Sequence, residues 1–360
     1  MPTTQLPSPC TAQEVQLLRD GYWDRTAIVA IDDGSKRVRK ISKGAKSAGP
    51  WGQDNLRAEA NYLATLEAEL RDCFPPLLDT WDHATTGYDM GYMDGYIDVG
   101  QTARQQLFNQ TQADVMQSYL GQRLFQQLHT PSTATPLLVE NIKNTLHKTQ
   151  VCLQEHPQLS CLLDQIQIND IPVESLQEQL AYIYKSPILA RFDASPQVRL
   201  HGDLFLENML LPSADSGPDW PRQLILIDPI SVAGIGAGHP LFDLGKYESY
   251  ATGELPAMRQ QRLLIEGFED VKIESNSKGN SNHYRWAIDW QDEAMQGFKN
   301  INWHSRMREL YTQYYGPVDT AMYELLQAYF AAAMVVCTQG REQQARALKM
   351  RASLQLALDS

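Results

Sequence analysis

The sequence predicts an α+β fold, with a small β-rich N-terminal lobe followed by a larger, mostly helical C-terminal lobe. Three observations predict it: a hairpin pattern near the N-terminus, a change to helical periodicity further on, and 360 residues of which 43% are hydrophobic. A chain of this length and composition can bury the cores of two lobes. We place the N-lobe at residues 1–94 and the C-lobe at residues 95–360.

The first elements follow from turn and capping patterns. Thr11 with Glu14 three residues later forms a capping-box pattern before an apolar periodic segment, which predicts a helix. The β-branched run 26–31, the turn residues 32–35 and the extended pattern at 37–42 then predict a β-hairpin. A loop rich in glycine, serine and lysine follows the hairpin.

A second helix is expected after Asp54, which we expect to cap it, and Glu59 lies on its apolar stripe. A carboxylate on a buried stripe requires a cationic partner. The alternative, a glutamate at the edge of the stripe that reaches water, stays open at this point. Apolar segments at 75–81 and 87–93 predict two further strands that complete the N-lobe.

The C-lobe begins with helical patterns. Residues 115–129 are strongly amphipathic, and Ser175 with Glu178 forms a capping box at the start of another helix. Short apolar runs at 198–200 and 224–228 interrupt the helical pattern and end in polar residues. These runs predict buried strands followed by exposed loops.

The composition excludes several functional classes. There are 43 Asp and Glu residues against 31 Lys and Arg residues, so the formal charge is −12. This charge disfavours nucleic acid and anionic membranes as partners and favours cationic small molecules. The five cysteines form no CxxC pair, and no signal peptide or membrane-length apolar run is visible, so we expect a soluble cytoplasmic protein.

The chemistry is expected in two segments, residues 198–211 and residues 224–247. In them, Asp203, Asn208 and Asp228 lie at the ends of hydrophobic strands, where loops can present oxygen ligands. Two carboxylates and an amide oxygen suit a hard cation such as Mg²⁺, and a carboxylate nearby can accept the proton of a hydroxyl.

The segment HGDLFLEN, with IDP and FDLGKY downstream, resembles the catalytic core of the aminoglycoside phosphotransferase/choline kinase-like family of small-molecule kinases. The resemblance implies a two-lobed protein-kinase-like fold, with ATP (or GTP) and Mg²⁺ as cofactors. It implies that residues 198–211 contain the catalytic loop and that residues 224–247 form the metal-binding segment. It also implies that Asp203 is the catalytic base, that Asn208 and Asp228 bind the metal, and that His201 and Asp243 scaffold the catalytic loop.

The resemblance extends with weaker motifs to the N-lobe. Lys40 resembles the strand lysine that holds nucleotide phosphates, and Glu59 resembles its helix partner. Val38 shares the face of Lys40 and would meet adenine. The backbone of Gly91, Tyr92 and Met93 would meet the purine edge. The sequence departs from the kinase pattern in lacking G-x-G-x-x-G before the hairpin, where Gly21 stands alone.

The acceptor is expected near acidic and aromatic side chains, which suit a cationic amine or guanidine. The candidates are Glu207, Trp286, Asp289, Trp290, Asp292 and Glu293. For Glu207, the alternatives are a third acidic metal ligand or an outward-facing residue. For the C-terminal residues, the alternative is ordinary core packing with solvated acids.

Three functions remain in competition. The first is a kinase that inactivates a cationic aminoglycoside or basic peptide antibiotic, in resistance or self-protection. The second is a metabolic or biosynthetic kinase for an amino alcohol, sugar or guanidino compound. The third is a catalytically silent, pseudokinase-like nucleotide-binding module. A peptide kinase is disfavoured because HGD replaces HRD and no APE pattern follows. We expect a monomer or homodimer.

Overall fold

The structure is a computed structural model that describes residues 12–21, 24–43, 51–83, 85–194, 196–212, 220–230, 234–268 and 282–360. The strands of this part of the chain are β1 (Ala12–Asp20), β2 (Asp24–Ile31), β3 (Lys36–Ser42), β4 (Leu77–Asp82), β5 (Thr86–Gly91), β6 (Tyr96–Asp98), β7 (Ile166–Ile168), β8 (Ile171–Val173), β9 (Val198–Arg199), β10 (Met209–Pro212), β11 (Ile225–Leu226), β12 (Ala237–Gly238), β13 (Leu263–Glu266) and β14 (His283–Ile288). The α-helices are α1 (Trp51–Ala64), α2 (Val99–Arg104), α3 (Gln110–Gln122), α4 (Leu138–Glu155), α5 (Leu176–Lys185), α6 (Ile188–Ala194), α7 (Leu241–Ala251), α8 (Glu254–Arg259), α9 (Gln296–Asn300), α10 (Ser305–Tyr315), α11 (Thr320–Val335) and α12 (Gly340–Asp359). The sequence-predicted α+β class is confirmed.

The described residues form two compact units. Unit 1 comprises those of Met1–Gln101, Gln126–Leu128 and Leu200–Gly236. Unit 2 comprises those of Thr102–Phe125, His129–Arg199 and Ala237–Ser360. The lobe boundary at residue 94 stays a prediction.

Unit 1 is built on a five-stranded antiparallel sheet with the order β1-β2-β3-β5-β4. The predicted hairpin is present as β2 and β3, and the two later strand predictions correspond to β4 and β5. Helix α1 packs against β3, β4 and β5, because its apolar stripe meets the apolar face of the sheet. In a smaller sheet with the order β11-β10-β6, strand β10, which begins directly after Asn208, pairs with β11 on one side and with β6 on the other.

Two local predictions in unit 1 are wrong. Residues 12–20 form strand β1 instead of a helix, since pairing with β2 along its length outweighs a local capping pattern; Thr11 lies outside the described residues. The second helix begins at Trp51, so Asp54 lies in its first turn and pairs with Arg57 at 2.6 Å instead of capping the helix. Residues 44–50 of the predicted loop also lie outside the described part of the chain.

Unit 2 is mainly helical, and its most extensive helix pair is α11 packed against α12. The predicted capping box of α5 is confirmed, because Glu178 N–H donates to the Ser175 hydroxyl at 3.3 Å and Ser175 N–H donates to the Glu178 carboxylate at 3.2 Å. A four-stranded sheet with the order β13-β14-β7-β8 was missed by the sequence analysis. Among the described helices, none has the length and apolar character needed to cross a bilayer.

Candidate active site

Lys40 and Glu59 form a buried ion pair between strand β3 and helix α1. The Lys40 Nζ donates to Glu59 Oε1 at 2.7 Å and to Oε2 at 2.9 Å, and the two residues are 2% and 5% exposed. Burial raises the pKa of Glu59 to about 8, against the opposing effect of Lys40. Burial opposes the charge on Lys40, but the Asp228 and Glu59 carboxylates raise its pKa well above the usual value. Lys40 therefore remains a cation.

Asp228 lies just after strand β11 and faces the same lysine. Its Oδ1 is 3.2 Å from Lys40 Nζ, and its Oδ2 is 3.2 Å from Arg19 Nη2. Burial acts to raise the pKa of this carboxyl, but the charges of Lys40 and Arg19 hold it at about 2. Asp228 is thus ionised at neutral pH. Its φ of 52° lies in the left-handed region, which aspartate tolerates better than most residues and which recurs at functional sites.

Arg19 and Asp24 complete a charge cluster that we define as Arg19, Asp24, Lys40, Glu59 and Asp228. The Arg19 Nη2 is 3.3 Å from both oxygens of Asp24, and Asp24 Oδ2 is 3.6 Å from Lys40 Nζ. The cluster contains two cations and three carboxylates. Sequence reasoning missed Arg19 and Asp24, and the available signal was the alternation of charges around Gly21 in the segment RDGYWDR.

The predicted catalytic loop is fixed by hydrogen bonds among its own residues. Asn208 Nδ2 donates to the Asp203 backbone carbonyl at 2.8 Å and to Asp203 Oδ2 at 3.2 Å. The Asp203 N–H donates to His201 Nδ1 at 3.3 Å, and the fully buried His201 ring stacks on Phe74 with a centroid distance of 6.0 Å. The positive φ of Gly202, 82°, makes the turn between His201 and Asp203. The loop therefore holds the Asp203 carboxylate in a defined orientation.

Backbone hydrogen bonds join this loop to the segment that carries Asp228. The Ile227 N–H donates to Asn208 O at 3.0 Å, and the Ile230 N–H donates to His201 O at 2.5 Å. Strands β10 and β11 pair in the same region. The structure thus brings the three residues of the sequence-predicted metal and base site, Asp203, Asn208 and Asp228, into one unit.

A hard divalent cation fits the residues of this site. Asp228 supplies an ionised carboxylate, and the donor role of Asn208 Nδ2 toward Asp203 leaves its carbonyl oxygen as the group suited to a metal. Within the described ranges, no group of three His, Cys, Asp or Glu side chains forms a closed metal site. Mg²⁺ does not need such a site, because it keeps several waters and binds one or two protein ligands together with phosphates.

The strand register shows which side chains share the face of Lys40. Lys40 is opposite Thr26 on β2 and Tyr88 on β5, and Val38 is opposite Ile28 and Met90. Direct cross-strand partners lie on the same face. Val38 therefore lies in an apolar row beside the polar row of Lys40.

The segment expected to meet the purine edge has defined backbone partners. The Gly91 N–H donates to Pro76 O at 2.9 Å, and a Cβ on Gly91 would lie 2.9 Å from the Pro76 ring. The Met93 carbonyl accepts the Tyr96 N–H at 3.3 Å, and the Tyr92 ring faces the Lys36 ammonium at 5.6 Å. The Gly91 N–H is consequently engaged within unit 1.

Asp243 lies in unit 2, on helix α7, and is fully buried. Its Oδ2 is 3.1 Å from His129 Nε2, and His129 Nδ1 is 2.9 Å from the Tyr315 hydroxyl. These contacts hold the Asp243 carboxylate in place within unit 2. Its role as a scaffold of the catalytic loop stays a prediction.

The candidate acceptor residues lie in different surroundings. Glu207 is in the 3₁₀ turn that contains Asn208, whereas the other candidates lie in unit 2. Asp292 accepts the Ala294 N–H at 3.0 Å and pairs with Arg262 at 3.1 Å, and Asp289 accepts the Gln291 N–H at 3.1 Å.

The remaining candidates in unit 2 are aromatic or exposed. The Trp286 ring faces the Lys349 ammonium at 5.9 Å, and the Trp290 ring lies beside Gly253. Glu293 is exposed at the start of a 3₁₀ turn. The substrate role of these residues stays a prediction.

Comparison with known proteins identifies the fold. No protein-family model matches the sequence, and no curated protein matches it. The structure is similar to a solved protein from Thermobifida fusca described as a fructosamine-3-kinase, with a TM-score of 0.50 and 15% identity, over 98% of this chain and 94% of that chain. This similarity confirms the protein-kinase-like fold that the small-molecule kinases share.

Two further solved structures are similar at lower scores. A glucosamine kinase in complex with glucosamine, ADP and inorganic phosphate has a TM-score of 0.41 and 12% identity, over 97% of this chain and 95% of that chain. A choline kinase from Cryptosporidium parvum has a TM-score of 0.43 and 13% identity, over 97% of this chain and 89% of that chain.

Proposed function

We propose that this protein is a Mg²⁺-dependent phosphotransferase that moves the γ-phosphate of ATP or GTP to a hydroxyl of a small molecule. The observation that carries the proposal is the placement, within one unit, of the Lys40–Glu59 pair against the ionised Asp228. In the same unit, Asn208 holds Asp203 through two hydrogen bonds. Phosphoryl transfer requires positioned charges more than covalent chemistry, and this arrangement provides them.

Each residue has a distinct role in the proposed reaction. Asp203 accepts the proton of the acceptor hydroxyl, and Asn208 keeps the Asp203 carboxylate in place. Lys40 binds nucleotide phosphates, and Glu59 positions the Lys40 ammonium. Asp228 and Asn208 would hold Mg²⁺, which supplies charge neutralisation to the phosphates when it is bound.

The acceptor is proposed to be cationic because the chain carries a formal charge of −12. An aminoglycoside or basic peptide antibiotic and an amine-bearing metabolite both meet this criterion. The proposal therefore commits to the charge of the acceptor and leaves resistance and metabolism to be separated by experiment. Cytoplasmic location and a monomeric or dimeric state are part of the same proposal.

The function is tested by ADP release from purified protein with ATP and panels of aminoglycosides, basic peptides, amino alcohols, sugars and guanidino compounds. Turnover with a cationic acceptor is the expected result, and the product is identified by ³¹P NMR. Nucleotide binding without turnover on any acceptor would instead support the silent nucleotide-binding module.

The matched variants are Asp203→Asn and, as a control, Asp72→Asn, which changes an exposed aspartate of the same unit. Asp203→Asn is expected to lower kcat by about 10²-fold or more while nucleotide affinity is retained, because a general base contributes about this factor. Asp72→Asn is expected to match the wild type. Unchanged turnover in Asp203→Asn would refute the assignment of the base.

A further inference from the structure

Arg19 forms the exposed side of the charge cluster. Its side chain is 49% exposed, whereas that of Lys40 is 3% exposed. The hydrogen bonds of the Arg19 side chain to Asp24 and its ion-pair distance to Asp228 all involve Nη2, and within the described ranges Nε and Nη1 donate no hydrogen bond. Since a guanidinium has five N–H donors, Arg19 can bind a further anion.

The strand register places Arg19 in line with the proposed phosphate-binding lysine. Arg19 on β1 is opposite Thr26 on β2, and Thr26 is opposite Lys40 on β3. The three side chains therefore lie in one row on one face of the sheet. Two cations in such a row, with a hydroxyl between them, match the charge and hydrogen-bonding capacity of a phosphate chain.

The Thr26 hydroxyl is a second, independent observation at the same place. Thr26 is 8% exposed, and its Oγ1 is buried without a hydrogen-bond partner among the described residues. Leaving a buried hydroxyl unpartnered is costly, so this hydroxyl would gain from a polar group that binds beside it. Its position between Arg19 and Lys40 indicates that this group is anionic.

We propose that Arg19 is a phosphate-binding residue that exchanges partners: it contacts Asp228 in the structure, and it binds a nucleotide phosphate when nucleotide enters. The inference rests on the proposed function, since it assigns Arg19 to the same nucleotide site. A divalent cation that binds Asp228 competes with Arg19 for the same carboxylate, so the phosphate gives the released guanidinium a new anionic partner.

The test compares Arg19→Gln with Arg25→Gln by calorimetric titration with ATP and with adenosine in the presence of Mg²⁺. Arg25 is a matched control because it lies on β2, the strand that pairs with β1, has a side chain that is also 49% exposed, and pairs with Glu14 on the opposite face of the sheet. Arg19→Gln is expected to weaken ATP binding by about 10- to 100-fold and to leave adenosine binding within about twofold. Arg25→Gln is expected to leave both affinities unchanged.

A second readout tests the exchange of partners without nucleotide. Binding of Mn²⁺ alone, measured by electron paramagnetic resonance, is expected to tighten severalfold in Arg19→Gln because Asp228 loses a competing cation. Arg19→Lys, which keeps the charge on a flexible stem, is expected to bind ATP with intermediate affinity and covers the case in which Arg19→Gln does not fold.

The outcomes separate this inference from the proposed function. Wild-type affinity for ATP in Arg19→Gln, or in Arg19→Lys if the glutamine variant does not fold, would overturn the inference and leave the proposed function intact. Unchanged Mn²⁺ affinity in Arg19→Gln would overturn the proposed exchange of Arg19 between Asp228 and a nucleotide phosphate. A wild-type protein that binds neither ATP nor adenosine would overturn the proposed function and, with it, this inference.

Discussion

The two partners of the buried ion pair are expected to differ in their contribution to stability. Lys40 faces three carboxylates, with Nζ at 2.7 Å from Glu59, 3.2 Å from Asp228 and 3.6 Å from Asp24. Lys40→Met would leave these carboxylates facing Arg19 alone. Glu59→Gln would instead leave two carboxylates for two cations, which balances the cluster.

The magnitudes follow from this count of charges. Lys40→Met is expected to lower the free energy of unfolding by about 3–5 kcal/mol at pH 7, the usual cost of leaving buried charge uncompensated. Glu59→Gln is expected to cost about 1 kcal/mol, because the amide oxygen still accepts a hydrogen bond from Lys40.

The loss of unfolding free energy in Lys40→Met is expected to depend on pH, and the raised pKa of Glu59 gives the direction of this dependence. A carboxyl whose folded pKa lies above its usual value binds more protons in the folded state, so its contribution to stability is present below pH 4.5 and is lost as the pH rises through about 8. In Lys40→Met, protonation also relieves the repulsion among the remaining carboxylates, so the free energy of unfolding of this variant rises further as the pH falls. Its stability deficit relative to the wild type should therefore shrink from pH 7 to pH 5.

The assay is urea denaturation followed by circular dichroism at both pH values, with Glu59→Gln and Lys40→Met measured against the wild type. Equal losses of unfolding free energy in Lys40→Met and Glu59→Gln would refute the argument from the number of charges in the cluster. A Lys40→Met deficit that stays constant or grows at pH 5 would refute the assignment of the loss to uncompensated carboxylates.

Three further predictions concern packing and titration. Gly297→Ala should lower the free energy of unfolding by about 3 kcal/mol or more, because the new Cβ would lie 1.8 Å from Ala103 O; a thermal shift below about 2 °C would contradict this. Tyr88→Phe should be neutral or stabilising by up to about 1 kcal/mol, because it removes a buried hydroxyl without a partner in the described part of the chain; a clear loss in urea denaturation would show that the hydroxyl is satisfied. Burial lowers the pKa of His239 from 6.5 to about 4, so its contribution to stability is present above pH 6.5 and falls by about 2 kcal/mol between pH 7 and pH 5. His239→Asn, whose amide oxygen can still accept the Leu241 N–H, should lose that dependence, and an unchanged pH profile would exclude this histidine as its source.

The sequence alone determined the local parts of the site. The spacing of His201, Asp203 and Asn208 falls within one loop, and the hydrogen bonds that join these three residues to one another span at most five positions. The sequence also indicated that Glu59 needs a cationic partner, because its position on the apolar stripe of a helix is a local pattern. The structure supplies Lys40 as that cation.

The tertiary structure decided what depends on pairing between distant segments. Strand β1 carries a helix-capping pattern, but hydrogen bonding to β2 makes it the edge strand of a sheet, and this same pairing brings Arg19 opposite Thr26. Arg19 then reaches Asp228, more than 200 positions along the chain. Such contacts arise from the register of strands and the packing of loops, and neither is encoded in the periodicity of a single segment. The place of Arg19 and Asp24 in the charge cluster therefore follows from the fold alone.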